Sequence, residues 1–185
     1  MFFWVYFIRH PRKKGEFMRV KYLKTTIRQH FPKFNERFRE IGFGIEGIVF
    51  TDGKFAYKLC GFNTNYVRWL LDLRKNKLIG NPHVPEVYQI IVDKHKKDCL
   101  VKMELLYEDD DDVMWEESVK FENKFRAFRT KKHTKTKLSN YDMVAKHLAD
   151  FVTRCEQSGN KICIDMHSGN VMRRHKQIVI TDPVV

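Results

Sequence analysis

Residues 41–59 limit the fold more than any other stretch. Ile41-Gly42-Phe43-Gly44-Ile45-Glu46-Gly47-Ile48-Val49-Phe50 reads as a strand, a glycine-rich bend and a second strand. Thr51-Asp52-Gly53-Lys54 then carries the Asp-Gly signal of a tight hairpin, and Phe55-Ala56-Tyr57-Lys58-Leu59 is the returning strand. Consecutive strands joined by tight turns pair antiparallel. A Gly-x-Gly-x-x-Gly run also marks dinucleotide-binding folds, but there it follows a parallel strand and opens a helix. The hairpin that follows here argues for a different use of the glycines. Taken alone, the run also suits an ordinary hairpin with flexible glycines.

Downstream, residues 66–78 place Val67, Leu70, Leu71 and Leu78 among polar residues in a helical pattern. Residues 84–92 and 99–105 read as two strands joined by a charged turn. Seven acids crowd residues 108–117, which open a helix running to Phe128. They suit a helix N-terminus, where the dipole favours negative charge, or a docking patch for a basic segment. A basic, Thr-containing loop spans residues 129–137. Ser139-Asn140-Tyr141-Asp142 caps the clearest helix, residues 141–157, with Val144, Leu148, Phe151 and Val152 on one stripe and Ser158-Gly159-Asn160 at its end. Residues 9–40 are basic and aromatic. The loose helical pattern of residues 22–38 is interrupted by Pro32.

Composition sets the bounds. A chain of 185 residues with 43% hydrophobic and 14% aromatic content suits one folded domain, or two small lobes around one cleft. A formal charge of +12 attracts polyanions such as nucleotides, nucleic acid or an acidic protein surface. Cys60, Cys99, Cys155 and Cys163 form no Cys-x-x-Cys pair and no zinc spacing, which predicts reduced, mostly buried thiols in a cytosol. The apolar opening, residues 1–8, falls short of the ~20 residues a membrane helix needs and lacks the marks of a signal peptide. Met18, after a basic stretch, is an alternative start.

The chemistry-bearing residues lie near the C-terminus. Ile164-Asp165-Met166-His167-Ser168-Gly169-Asn170 is followed by Ile180-Thr181-Asp182-Pro183. Phosphoryl transfer from ATP needs a carboxylate to orient the attacking hydroxyl, with an amide oxygen and a second carboxylate for Mg²⁺. Asp165 suits the first role, and Asn170 and Asp182 suit the metal. Upstream, Gly42, Gly44 and Gly47, with Val49 behind them, can fold over phosphates. Lys58 can pair with the α and β phosphates. His167 can contact the transferred phosphate or brace the loop. Asp72 is the single acid in residues 66–78 and the candidate partner of Lys58, against the plainer reading of an exposed helix charge. Each feature has a bland counterpart: a solvent-facing lysine, an Asp-rich turn before a hairpin, a loop histidine.

In that order these residues resemble the protein-kinase-like fold. The segment from Asp165 to Asn170, with Ile180-Thr181-Asp182-Pro183, is similar to the early Ser/Thr protein kinases of T7-like bacteriophages, and the resemblance covers residues 41–185. The Asp-x-His-x-x-Asn spelling also resembles aminoglycoside phosphotransferases. The resemblance implies an α+β, bilobal protein-kinase-like fold. Residues 41–105 would form a small antiparallel β N-lobe and residues 106–185 a reduced, mostly helical C-lobe, behind a basic, aromatic extension of residues 1–40. It further implies ATP and Mg²⁺ as cofactors, host proteins of transcription, RNA processing or translation as substrates, and the cytoplasm of a bacterial host as the location.

Three departures matter. Cys163-Ile164 stands in place of the His-Arg pair of most eukaryotic kinases, Pro183 replaces the Phe of Asp-Phe-Gly, and Val185 follows Asp182 by three residues. The last predicts a missing activation segment and a fraying end beside a metal ligand. The rival readings are a small-molecule phosphotransferase, a nucleotide-binding pseudokinase and a basic nucleic-acid-binding module.

Overall fold

The glycine bend and the Asp-Gly turn fold the chain back on itself twice. In a computed structural model, which describes residues 38–44, 46–93, 97–108, 110–130 and 137–185, they join β1 (Arg39–Phe43), β2 (Gly47–Thr51) and β3 (Phe55–Gly61). Gly44 N–H donates to Gly47 O at 2.8 Å and closes the first bend. In the second, Asp52 Oδ1 accepts from Lys54 and Phe55 N–H at 2.9 and 2.8 Å, and Gly53 takes φ +90°, a conformation that glycine adopts without strain. The sequence readings of residues 1–37 and 131–136 lie outside the described residues.

Helix α1 (Asn65–Lys75) follows, capped by Thr64, and then β4 (Val87–Asp93) and β5 (Asp98–Glu104). The five strands form one antiparallel sheet in the order β1-β2-β3-β5-β4, a single α+β unit with the helices and hairpin that come next. Strand alternation gives β3 two faces. Ala56, Lys58 and Cys60 share one, with Val49 of β2 and Val101 of β5 flanking Lys58 in register. Buried Tyr57 and Leu59 lie on the other, beside Phe50 and Leu100.

Helix α1 is shorter than the pattern predicts and turns differently. Tyr66, Val67, Trp69, Leu70 and Leu73 are buried, whereas Leu71 is 45% exposed, because 100° per residue carries it away from that face. The helix stops at Asn76. Leu78 packs on the core from the turn beyond, where Lys77 takes φ +58°. β4 starts at Val87, just after Glu86, whose N–H goes to the Glu104 side chain at 2.8 Å in place of the ladder.

Two helices build the opposite layer, α2 (Asp111–Arg129) and α3 (Asn140–Gln157). Asp110 caps α2, with Asp111 and Asp112 in its first turn, so part of the acidic run serves the helix start. Ser139 and Asp142 form a capping box on α3, and Asp142 also pairs with Lys124 of α2. The end of α3 closes on Gly159 at φ +76°, with Asn160 N–H donating to Cys155 O at 2.9 Å. One continuous core joins the layers: Ala56, Cys60 and Val101 of the sheet, Trp69, Leu70 and Leu73 of α1, Met114 and Phe121 of α2, and Val144 and Leu148 of α3.

The hairpin β6 (Val171–Arg174) and β7 (Gln177–Ile180) completes the unit and carries Asp182 just past its end. His83 and Arg174 help to anchor it. Ile180 N–H donates to His83 O at 3.0 Å, and His83 Nδ1 lies 2.8 Å from Ile178 O. Arg174 forms a fork on Glu104 at the end of β5, and reaches Pro82 O and Val84 O at 2.9 and 3.0 Å. No helix among the described residues is long and apolar enough to cross a membrane.

Candidate functional site

Strand alternation and the hairpin anchors bring Lys58 and Asp182 together across 124 positions of sequence. The Lys58 ammonium pairs with Asp182 Oδ2 and lies 3.8 Å from the centroid of the Tyr66 ring. That ring is fully buried, and its hydroxyl lies 3.7 Å from Met103 Sδ. Lys58 is therefore an interior lysine held by a carboxylate and an aromatic face, not a solvent-facing residue of an edge strand. The other oxygen of Asp182, Oδ1, is buried without a hydrogen-bond partner. Burial holds Asp182 above the usual carboxylate range; Lys58 opposes the shift and Asp165 adds to it.

The loop before β6 carries the remaining residues. One turn of 3₁₀-helix, Ser168–Asn170, is closed by Gly169 N–H donating to His167 Nδ1 at 3.1 Å. Asn170 is buried and turns its Nδ2 onto Asp165 O at 2.6 Å, with His167 Nε2 at 3.1 Å. The amide nitrogen is thereby committed, and the amide oxygen is left as its acceptor. Thr181 N–H donates to Asn170 O at 3.0 Å, which locks the loop to the residue before Asp182. The Asp165 side chain is 43% exposed, and His167 Nε2 lies 3.7 Å from its Oδ2. One carboxylate thus faces solvent while the other stands deeper, beside a lysine.

The end of this site is paired to the segment that precedes the loop. Cys163 and Val185 exchange both main-chain hydrogen bonds, at 2.8 and 3.0 Å, Ile164 bridges Val184, and Asp165 N–H donates to Pro183 O at 3.0 Å. The expectation of a loose end overlooked this pairing; Pro183 has no N–H to return the bond, and Asp165 O takes the Asn170 amide instead. Three of the four cysteines are buried, as expected, but Cys163 on this clasp is exposed.

The glycines divide by role. A Cβ on Gly47 would stand 2.3 Å from Leu59 O, so that position is glycine because β3 passes close to it. A Cβ on Gly44 would meet nothing within 4 Å, and one on Gly42 only Val49 Cβ at 3.9 Å. Those two leave open space at the bend. Val49 packs against the core from the face it shares with Lys58.

Asp72 is not brought to Lys58. Its Oδ2 lies 2.5 Å from Arg154 Nη2 and 2.9 Å from His147 Nε2, so it joins α1 to α3. The reason is the helix face: Asp72 points away from the sheet, toward α3. Glu46, which the sequence reading passed over, reaches the start of the same helix, α1. Its two oxygens accept from Asn65 and Tyr66 N–H, each at 3.2 Å. The available signal was an acid between glycines in a loop otherwise suited to phosphates, where negative charge needs a reason.

Among the described residues no three His, Cys, Asp or Glu side chains form a metal cage. The orphaned Asp182 Oδ1 and the amide oxygen of Asn170 are hard donors of the kind Mg²⁺ takes alongside phosphate oxygens, so the residues fit that ion. No protein-family model matches the chain, and no curated protein is significantly similar to it.

Proposed function

We propose that the chain is an ATP-dependent Ser/Thr protein kinase with a bilobal kinase-like fold. The observation that carries this reading is the pairing of Lys58 with Asp182 at the end of the hairpin, beside the loop bearing Asp165 and Asn170. The lysine stands on the third strand of an antiparallel sheet, after a glycine bend, as a kinase lysine does.

Each residue then has a task. Gly42 and Gly44 leave room for phosphates under the bend. Lys58 exchanges Asp182 for the α and β phosphates of ATP. Asp182 and Asn170 would hold Mg²⁺, which when bound neutralises phosphate charge. Asp165, the solvent-facing carboxylate, orients the substrate hydroxyl and accepts its proton as the oxygen attacks the γ-phosphorus, whose bond to the β,γ-bridging oxygen breaks to release ADP. His167 keeps the loop in place by accepting the Gly169 N–H.

The resemblance to phage early kinases supplies the target class: host proteins of transcription, RNA processing or translation, in the bacterial cytoplasm. Radiolabelled ATP and host lysate test it with wild type, Asp165→Ala and Lys58→Ala. Label in protein bands, lost in both variants, is the expected result. Label confined to small molecules would instead identify a small-molecule phosphotransferase. Equal labelling by all three proteins would refute the assignment, and Mg-ATP binding without turnover would leave a pseudokinase.

A further inference from the structure

Helix α1 offers Lys58 no carboxylate. Asp72 is the sole acid between Asn65 and Lys75, and it is committed to Arg154 and His147 on α3. The glycine bend approaches the same helix from the other side. Glu46, two residues past Gly44 and directly before Gly47, extends its carboxylate to the first turn of α1 and takes the N–H groups of Asn65 and Tyr66, one on each oxygen. Those donors have no partner within the helix, and negative charge is favoured there. Thr64 covers a third, Val67 N–H, at 3.4 Å.

Tyr66 links this contact to the lysine. Its backbone is held by Glu46, and its buried ring supports the Lys58 ammonium. Burial holds Glu46 above the usual carboxylate range, its hydrogen bond from Tyr66 opposes that, and the charges of Asp182 and Lys58 both reach it.

We propose that Glu46 is a positioning residue for Lys58: by clipping the glycine bend to the first turn of α1 it fixes the Tyr66 ring under the lysine, doing from the loop what a helix carboxylate would otherwise do. The bend and the lysine then keep a constant relation when Asp182 leaves Lys58. The functional meaning of this coupling rests on the kinase reading above, but the coupling is measurable without nucleotide.

The test is competitive acylation of the full chain by a neutral amine-reactive reagent, read by mass spectrometry as the ratio of Lys58 to Lys54 labelling. Lys54, on the same hairpin, is exposed and serves as the reference. Wild type, Glu46→Ala, Glu46→Gln and Thr64→Ala are compared. Glu46→Ala should raise the ratio about fivefold, the size of effect expected when one helix cap is lost and a local opening becomes more frequent. Glu46→Gln keeps one acceptor and should fall between. Thr64→Ala weakens the same helix end without touching Tyr66 N–H, and should leave the ratio near wild type.

An unchanged ratio in Glu46→Ala overturns the proposal, as does an equal rise in Thr64→Ala, which would mean simple fraying of α1. Mg-ATP added to the wild type should protect Lys58. Absence of that protection, with the ratio still dependent on Glu46, would refute the nucleotide-site reading and leave the coupling standing. Protection with a ratio insensitive to Glu46 would do the reverse.

Discussion

Gly47→Ala and Gly44→Ala are the same chemical change in one bend, and they should have opposite consequences. The Cβ of an alanine at 47 would sit 2.3 Å from Leu59 O and 2.9 Å from Cys60 Cβ. Neither neighbour can swing away: Leu59 O is main chain, in a strand paired on both sides by β2 and β5. Ordinary contact begins near 3.4 Å, so the strands must part by about an ångström. Overpacking costs about 1–3 kcal/mol, and a weakened ladder hydrogen bond adds about 1 kcal/mol. The expected loss is therefore about 2–4 kcal/mol, or about 5–15 °C in Tm for a chain of this size. At 44 the new methyl meets nothing within 4 Å. Stability should stay within about 0.5 kcal/mol of wild type, and if the bend covers ATP as proposed, Mg-ATP binding should weaken because the methyl takes that space. Urea unfolding followed by tryptophan fluorescence, with Trp69 as an interior reporter, measures the first effect, and nucleotide titration the second. A Gly47→Ala midpoint equal to wild type would refute the close-approach argument. So would a Gly44→Ala variant that unfolds as early as Gly47→Ala.

Lys58→Met and Asp182→Asn should each cost about 1–3 kcal/mol, and the double variant clearly less than their sum, because either single change strands a charge or its partner in a poorly solvated place; additive losses in urea unfolding would mean the pair is not coupled. Asp142 carries a pH signature: burial works against its charge, but Lys124 and Ser139 bring its pKa from 3.8 down to about 2. Its stabilisation is present above pH 4 and lost as pH falls through about 2, so the gap between wild type and Asp142→Asn, about 1–2 kcal/mol at pH 7, should close over that window in pH-dependent unfolding. A gap that persists at pH 2 would point to packing in place of charge. Arg174→Ala should cost about 2–4 kcal/mol by removing the fork on Glu104 and the bonds to Pro82 O and Val84 O. Arg174→Lys should recover less than half of the lost Tm, since a lysine cannot fork; full recovery would refute that reasoning.

Local chemistry was the legible part of this chain. The Asp52 turn and the Ser139–Asp142 box satisfy their own backbone within a few residues, so spelling and structure agree there. Where the sequence reading failed, the deciding partner lay far away. Asp72 finds its partner 82 positions on, at Arg154, and nothing in residues 66–78 says which side of the helix meets α3. Leu71 looked like core by composition, yet Trp69 and Leu73 take the buried face. The glycine run was readable as a bend, but not that Gly47 answers to β3 and Glu46 to α1. Lys58 and Asp182 were readable only as members of an ordered motif; their contact depends on the hairpin anchored at His83 and Glu104.

The clasp between Cys163–Asp165 and Pro183–Val185 turns everything between Asp165 and Asp182 into a closed loop with a fixed neck. Main-chain rungs at the neck hold the backbone on either side of the two acids. Changes in length at the far tip, His175-Lys176, would lengthen the loop without opening its mouth. The anchored strands of the hairpin can stay in place while its tip changes length.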